Sequence, residues 1–315
     1  MVTSNLPNRQ VFTKILLALA QQDPRIIGLA SDSRGSASLD EFAKQLPAQF
    51  VEVGIAEQNL VGIAAGLAAC GKIPFACSPA CFLSMRSIEQ IKVDAAYSKK
   101  NVKLIGISGG VSYGALGSTH HSLQDLAVTR AIPDLTVIVP ADNVETEVLT
   151  KKIAECDGPV YMRLGRGPVP DVHQAKTDFE IGKGCLLLEG NDLTLVATGE
   201  LTRTALDAGL LLHKQGIFAR VIELHTIKPL DREIITAAAA ETGAILTVEE
   251  HSIYGGLGGA VAEIVSQVKP VPMRIMGIPD EPSITGTQGE IFKHYGLTPE
   301  NLVSKALELL KAKRG

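Results

Sequence analysis

Apolar positions along the chain alternate between two spacings. Val11, Phe12, Ile15, Leu16 and Leu19 share one helical face and predict a helix over 9–21, stopped by Asp23-Pro24. An apolar run of strand length follows at 26–30, then a helix near 39–45. The stretch 51–68 opens as a short buried strand and continues as a helix. Further strands are predicted at 73–78, 102–108, 136–140 and 160–164, with helices at 81–98 and 144–156. Beyond residue 181 the alternation resumes. Strands are predicted at 193–198, 218–224, 244–249 and 271–276, and helices at 201–215, 231–241, 257–268 and 300–313. Alternation of this kind implies parallel sheets covered by helices on both faces. Gly165, Gly167, Pro168 and Pro170 mark the boundary between the two blocks. The predicted fold class is α/β: two three-layer α/β/α domains, residues 1–167 and a smaller 183–315, joined by a linker at 168–182.

The stretch 51–68 is the most informative. Glu57 stands where strand hands over to helix, and the eleven residues from Gln58 to Ala68 carry no charge. A helix of that composition is expected to be buried. A carboxylate in such a place is either tied up or chemically active. Gly62 and Gly66 lie four apart on one face, which lets another backbone approach closely. One reading is a helix packed on its own sheet, with Glu57 capping its own first turn. The other is an acid delivered to a site shared between subunits or domains.

Three loops beyond strand ends add chemistry. Asp32 and Ser36 lie in the polar turn after the strand at 26–30, where open α/β sheets place ligands. Ser112–His121 holds the glycines Gly114 and Gly117 and the pair His120 and His121, so it combines close backbone approach with proton transfer. Arg163 and Arg166 suit an anion, or alternatively salt bridges between domains. The glycine-rich turn after Glu249-Glu250-His251 lacks the GxGxxG order and reads better as a structural turn.

Composition excludes several classes. A formal net charge of −4 and the lack of a Lys/Arg cluster argue against nucleic acid. No apolar run reaches the roughly 18 residues of a membrane span, and the polar N-terminus with Pro7 does not read as a secretory signal. Five scattered cysteines fit a reduced, cytoplasmic protein, and the isolated CxxxC of Cys77 and Cys81 does not make a zinc site.

Val53-Gly54-Ile55-Ala56-Glu57-Gln58-Asn59, followed by Gly62, Ala65, Gly66 and Gly71, resembles the pyrimidine-binding domain of transketolases and deoxyxylulose-phosphate synthase. Arg86–Ile91, Gly117-Ser118-Thr119-His120, Ile132–Thr136 and Val139-Pro140-Ala141-Asp142 extend the resemblance, and Glu249-Glu250-His251 with Gly255–Gly258 resembles the C-terminal domain of that family. No Gly-Asp-Gly occurs, although the family's diphosphate-binding domain carries one to hold its metal. The chain therefore resembles the C-terminal subunit of a split transketolase.

That resemblance implies thiamine diphosphate as cofactor, with Mg²⁺ (or Ca²⁺) and the diphosphate held by an N-terminal partner subunit, and no metal ligands assigned in this chain. It implies a heterotetramer of two long and two short chains, acting on sugar substrates. Glu57 matches the family glutamate that shares a proton with the aminopyrimidine ring and favours its imino form. A charged Glu57 without a partner is costly, so cofactor binding is expected to couple to its protonation. Asp32 matches a residue beside the cofactor. Phe82 or Leu83 matches the aromatic ring that stacks on the pyrimidine, Phe82 being the one with a π-face. His120 matches a substrate-contacting histidine, and Arg9, Ser36 and Arg166 match positions that hold the sugar phosphate.

Two departures point away from the usual sugars. The family aspartate that bonds a substrate hydroxyl becomes Leu116, and its phosphate-contacting histidine becomes Ser108. The resemblance implies transfer of a two-carbon ketol unit from a ketose phosphate donor to an aldose, and the departures leave the sugars open, a branched ketose or one lacking that hydroxyl among them. Competing expectations are a decarboxylating deoxyxylulose-phosphate-type synthase, a 2-oxo acid dehydrogenase beta-type subunit, and a non-catalytic assembly subunit.

Overall fold

The structure, a computed structural model, describes residues 6–174 and 177–314. The middle of the expected linker, residues 175–176, lies outside them. Twelve strands are formed by the described residues. The first six are β1 (Ile26–Ala30), β2 (Phe50–Glu52), β3 (Ile73–Pro79), β4 (Lys103–Ile107), β5 (Thr136–Ile138) and β6 (Val160–Leu164). The second six are β7 (Cys185–Leu188), β8 (Leu193–Ala197), β9 (Ala219–Glu223), β10 (Thr226–Lys228), β11 (Ile245–Ser252) and β12 (Met273–Ile278).

They build a seven-stranded sheet, β10-β5-β6-β4-β3-β1-β2, and a five-stranded sheet, β12-β11-β8-β9-β7. β1 to β6 pair in parallel, and so do β8, β9, β11 and β12. Every residue of β1, β3, β4, β6 and β8 is buried, as continuous apolar runs covered on both faces require. Two strands differ from the expected all-parallel pattern. β7 runs antiparallel to β9 on one edge, and β10 crosses to the other sheet to lie antiparallel to β5.

The core is layered to match. Phe12, Phe42, Phe75 and Leu149 pack on the outer face of the larger sheet. Leu201, Leu212, Leu302 and Leu310 do the same for the smaller. Between them one continuous cluster joins Leu29, Leu60 and Leu104 to Val196, Ile222 and Val261. The two domains therefore share an apolar interior.

The helix expected over 81–98 is interrupted. An α-helix Ala80–Arg86 stops at Ser87, a short turn Ile88–Gln90 follows, and Ile91–Tyr97 is π-helical. Ser84 and Ser87 donate their hydroxyls to the carbonyls of Ala80 and Leu83, back-bonds that bend helices. The helix Glu57–Ala69 is buried on one face only, at Glu57, Leu60, Val61, Ala64 and Ala65. Gln58, Asn59 and Gly66 face outward, so its lack of charge reflects an uncharged open face rather than full burial. Among the described residues no helix is long and apolar enough to cross a membrane, and all five cysteines are free.

Candidate functional site

The loops leaving the carboxyl ends of β1, β2, β3 and β4 converge on one cleft. The first contributes Asp32 and Ser36, the second Glu57, the third Phe82 and Arg86, and the fourth Tyr113, Leu116 and His120. Glu52, at the end of β2, ties two of these loops together. Its Oε1 accepts the backbone N–H of Asp32 at 2.7 Å and that of Gly54 at 3.1 Å. Gly54 turns at φ +72°, a conformation glycine adopts freely, and aims the chain into the helix headed by Glu57. Asp32 (φ 53°) and Ser108 (φ 58°) hold the same left-handed region without that freedom. Such strain, about 1–3 kcal/mol per residue, gathers where a site must hold its shape.

Glu57 is 5% exposed and makes no bond to its own helix turn. Its Oε1 instead accepts Arg86 Nη1 at 3.0 Å. In the isolated chain the carboxylate is therefore tied up, by Arg86 rather than by its own helix turn. Phe82 and Arg86 are four apart on one helix, where side chains meet face to face and lean toward the N-terminus. The Arg86 guanidinium accordingly lies 3.8 Å from the Phe82 ring centroid. Phe82 lines the cleft, whereas Leu83, one position on and about 100° around the helix, is fully buried in the shared core. Leu83 therefore does not reach the cleft, and of the two candidate residues Phe82 alone lines it.

His120 packs edge-on against Phe82 and Tyr113, with ring centroids 5.2 and 5.6 Å away. Its Nδ1 bonds the Thr119 hydroxyl at 2.9 Å, which leaves Nε2 as its second hydrogen-bonding group. His121 has a different part. It is buried, with Nδ1 2.6 Å from the Ser283 hydroxyl and Nε2 3.0 Å from the Gly114 carbonyl. Burial lowers its pKa, so as a neutral ring it fastens the loop to the second domain.

A cationic corner adjoins the cleft. Pro7 and Pro168 form an isolated bridge that brings the N-terminal helix to the loop after β6. Arg9 donates to the Ser36 carbonyl, and its buried Nε has no partner among the described residues. Arg166 lies 4.9 Å from the Tyr113 ring centroid and 3.5 Å from the Ser108 hydroxyl. Burial, and then the neighbouring Arg166, lower the pKa of Arg9. Two guanidiniums held together with no carboxylate partner among the described residues suit a phosphate.

Arg163 takes the structural alternative. It is buried between Asp125 (3.4 Å) and Glu250 (3.7 Å) and bridges the two domains. Glu249 accepts the backbone N–H groups of Leu257 (2.7 Å) and Gly258 (2.8 Å), so the glycine-rich turn after it is a helix cap. Sequence reasoning assigned no site role to Arg86, Glu52 or Tyr113. Arg86 stood inside a stretch that carries the resemblance, but its pairing with Glu57 depends on a fold that joins β2 and β3 through β1.

The cleft matches the group that the resemblance implies. A planar cation rests on the Phe82 face while donating to a nearly buried carboxylate. Those are the two interactions that a nitrogen-bearing aromatic ring needs, and the donor set fits an aminopyrimidine.

A model of the transketolase pyrimidine-binding domain matches residues 4–171, and one of the transketolase C-terminal domain matches residues 182–302. The chain belongs to the transketolase family. That family depends on thiamine diphosphate, and this chain has the make-up of the C-terminal subunit of a split transketolase, a transferase. It is similar to one subunit of an apulose-4-phosphate transketolase of Phocaeicola vulgatus, at 53% identity over 99% of this chain and 100% of that one. It is also similar to a 6-deoxy-6-sulfo-D-fructose transketolase subunit of a Clostridium species, at 39% identity over 97% of this chain and 95% of the relative. A solved split-gene transketolase, described as an inactive β4 tetramer, superposes with a TM-score of 0.91 at 42% identity, covering 98% of this chain and 99% of its own.

Proposed function

We propose that this transketolase subunit transfers a two-carbon ketol unit from a branched ketose phosphate to an aldose. An N-terminal subunit would complete the site with the diphosphate-binding domain and Mg²⁺ (or Ca²⁺). The observation that carries the substrate is Leu116, which is 54% exposed and lines the cleft together with His120. It offers no acceptor where the family's aspartate bonds a substrate hydroxyl. The 53%-identical relative named for apulose 4-phosphate supports a sugar phosphate outside the usual set.

When bound, thiamine diphosphate supplies the carbon nucleophile for the donor carbonyl. Phe82 stacks on its pyrimidine, and Asp32 borders it. Glu57 would hold a proton at a ring nitrogen once Arg86 has given up the carboxylate. His120 donates to an oxygen of the sugar, where a positioned proton donor contributes about 10²–10⁴-fold. Arg9 and Arg166, with Ser36, grip the phosphate.

The subunit arrangement is part of the proposal. Ile55 (75% exposed) and Met85 (51%) lie on elements that build the cleft, Tyr97 (83%) lies on the π-helical segment that follows, and among the described residues nothing beyond its own helix and chain neighbours lies within 4 Å of a Cβ placed on Gly66. An open apolar and small-residue surface supports closure by a second chain and a heterotetramer. The five free cysteines support a reducing, cytoplasmic setting.

The test is to reconstitute the chain with a partner carrying Gly-Asp-Gly and compare donors. The proposal expects the highest kcat/KM with apulose 4-phosphate. Preference for xylulose 5-phosphate, CO₂ release from pyruvate without ketol transfer, or assembly without turnover would each contradict it. The last two outcomes correspond to the synthase or dehydrogenase reading and the assembly-subunit reading.

A further inference from the structure

Away from the cleft, four side chains from both domains and the segment between them point at one another. Glu145 comes from the helix Asn143–Glu155, His173 from the segment after β6, Cys185 from β7 and Glu223 from the end of β9. Their donor atoms all lie within 4.8 Å of one another. Glu145 and Glu223 are fully buried, and the His173 side chain is 4% exposed. Among the described residues no hydrogen-bond partner reaches His173 Nε2, and Glu223 shares protons only with Glu145 and Cys185 beside it. A buried imidazole nitrogen left without a partner is rare, and next to three further ligand atoms it calls for a ligand.

We propose that Glu145, His173, Cys185 and Glu223 form a zinc site that staples the two domains through the segment joining them. The donor types are those zinc takes: one imidazole nitrogen, one thiolate sulfur and carboxylate oxygens. The surrounding shell is already built. His173 Nδ1 lies 3.2 Å from Asp142 Oδ2, which leaves Nε2 as the nitrogen to bind a metal, with a carboxylate behind it as metal-binding histidines have. Asp142 is itself fixed by the backbone N–H groups of Glu145 (2.9 Å), Val172 (2.8 Å) and His173 (2.7 Å). The second oxygen of Glu145 accepts the Ala141 N–H at 2.6 Å.

Without a cation, burial favours the protonated acids. Burial raises the Glu145 carboxyl to about 7, and burial with the adjacent Glu145 pushes Glu223 well above the usual carboxylate range. Burial likewise raises the Cys185 thiol. A divalent cation replaces those protons, so binding releases them to solvent. Zinc bonds of about 2.0–2.3 Å set tetrahedral ligand separations of roughly 3.3–3.8 Å, so the cluster closes by about 1 Å.

The test uses the full chain, stripped with a chelator and titrated with zinc and, separately, with cobalt(II). One metal per chain is expected, with proton release and a thiolate-to-cobalt absorption band. Cys70→Ser, at an exposed cysteine outside the cluster, keeps the band. Cys185→Ser loses it, and His173→Gln weakens zinc by at least about 10–100-fold, the range that follows even from losing a group that only supports a metal ligand. The wild-type cobalt spectrum needs no variant to fold. Absence of stoichiometric binding, a spectrum without thiolate ligation, or full binding by both cluster variants would overturn the assignment. None of these readouts depends on turnover, so they stand apart from the choice of sugar.

Discussion

Arg86 donates to Glu57 across 3.0 Å while covering the ring of Phe82. In the isolated chain one guanidinium thus occupies both places that the pyrimidine ring needs. A half-exposed ion pair contributes about 0–1 kcal/mol, and an exposed cation–π contact about 0.5–1. The arginine is therefore a weak occupant that a tightly held cofactor displaces.

Removing that competitor should tighten cofactor binding. Arg86→Leu is expected to lower the Kd of thiamine diphosphate for the reconstituted pair by up to about tenfold, since 1.4 kcal/mol is a factor of ten. Calorimetric titration with the cofactor measures it. A weaker affinity in the variant would mean that Arg86 contributes to the bound state instead.

Leu116 sets the second expectation. Leu116→Asp restores an acceptor for a substrate hydroxyl, and a hydroxyl that finds or loses its partner changes binding by about 1–3 kcal/mol. The ratio of kcat/KM for linear over branched ketose phosphates should rise by about 10–100-fold. An unchanged ratio would remove Leu116 from sugar selection.

Arg166 tests the phosphate grip. Hydrogen bonds to charged groups contribute about 1.5–3 kcal/mol. Arg166→Ala should raise KM for the phosphorylated donor by about 10–100-fold with a smaller change in kcat, and leave an unphosphorylated donor almost unaffected. Equal losses on both donors would show that Arg166 does not read the phosphate.

Glu200 gives a pH dependence. Its carboxyl sits in the crevice between domains, with Oε1 buried and Oε2 accepting Gln288 Nε2 at 2.7 Å. Burial, then Glu250, raise it to about 8, against the smaller opposing effects of Gln288 and Arg163. From about pH 4.5 to 8 the folded chain keeps this proton while the unfolded chain has lost it, so stability falls as pH rises through that window. Thermal unfolding should show a shallower decline in Glu200→Gln than in wild type. Parallel pH profiles would refute this.

The parts of the structure legible in the sequence are those with a period. Continuous apolar runs marked β1, β4 and β6, and spaced ones marked the helices that cover them. β7 and β10 escaped because a short strand on a sheet edge needs no run of its own. The break at Ser87 escaped because a serine back-bond leaves the apolar spacing intact. At the site, motifs located Glu57, Phe82 and His120, but they could not say which helix face Leu83 would take. Nor could they pair Glu57 with Arg86 or separate the bridging Arg163 from Arg166. The cluster of Glu145, His173, Cys185 and Glu223 has no spacing to read, because the chain must cross two domains to assemble it.

The most direct measurement is the turnover of the reconstituted pair carrying Glu57→Gln, at saturating thiamine diphosphate and matched assembly. Glutamine keeps the shape but cannot hold the proton against the ring, so kcat should drop by about 10²–10⁴-fold. Turnover within a few-fold of wild type would contradict the account, because the acid heading the helix Glu57–Ala69 would then be dispensable to the chemistry.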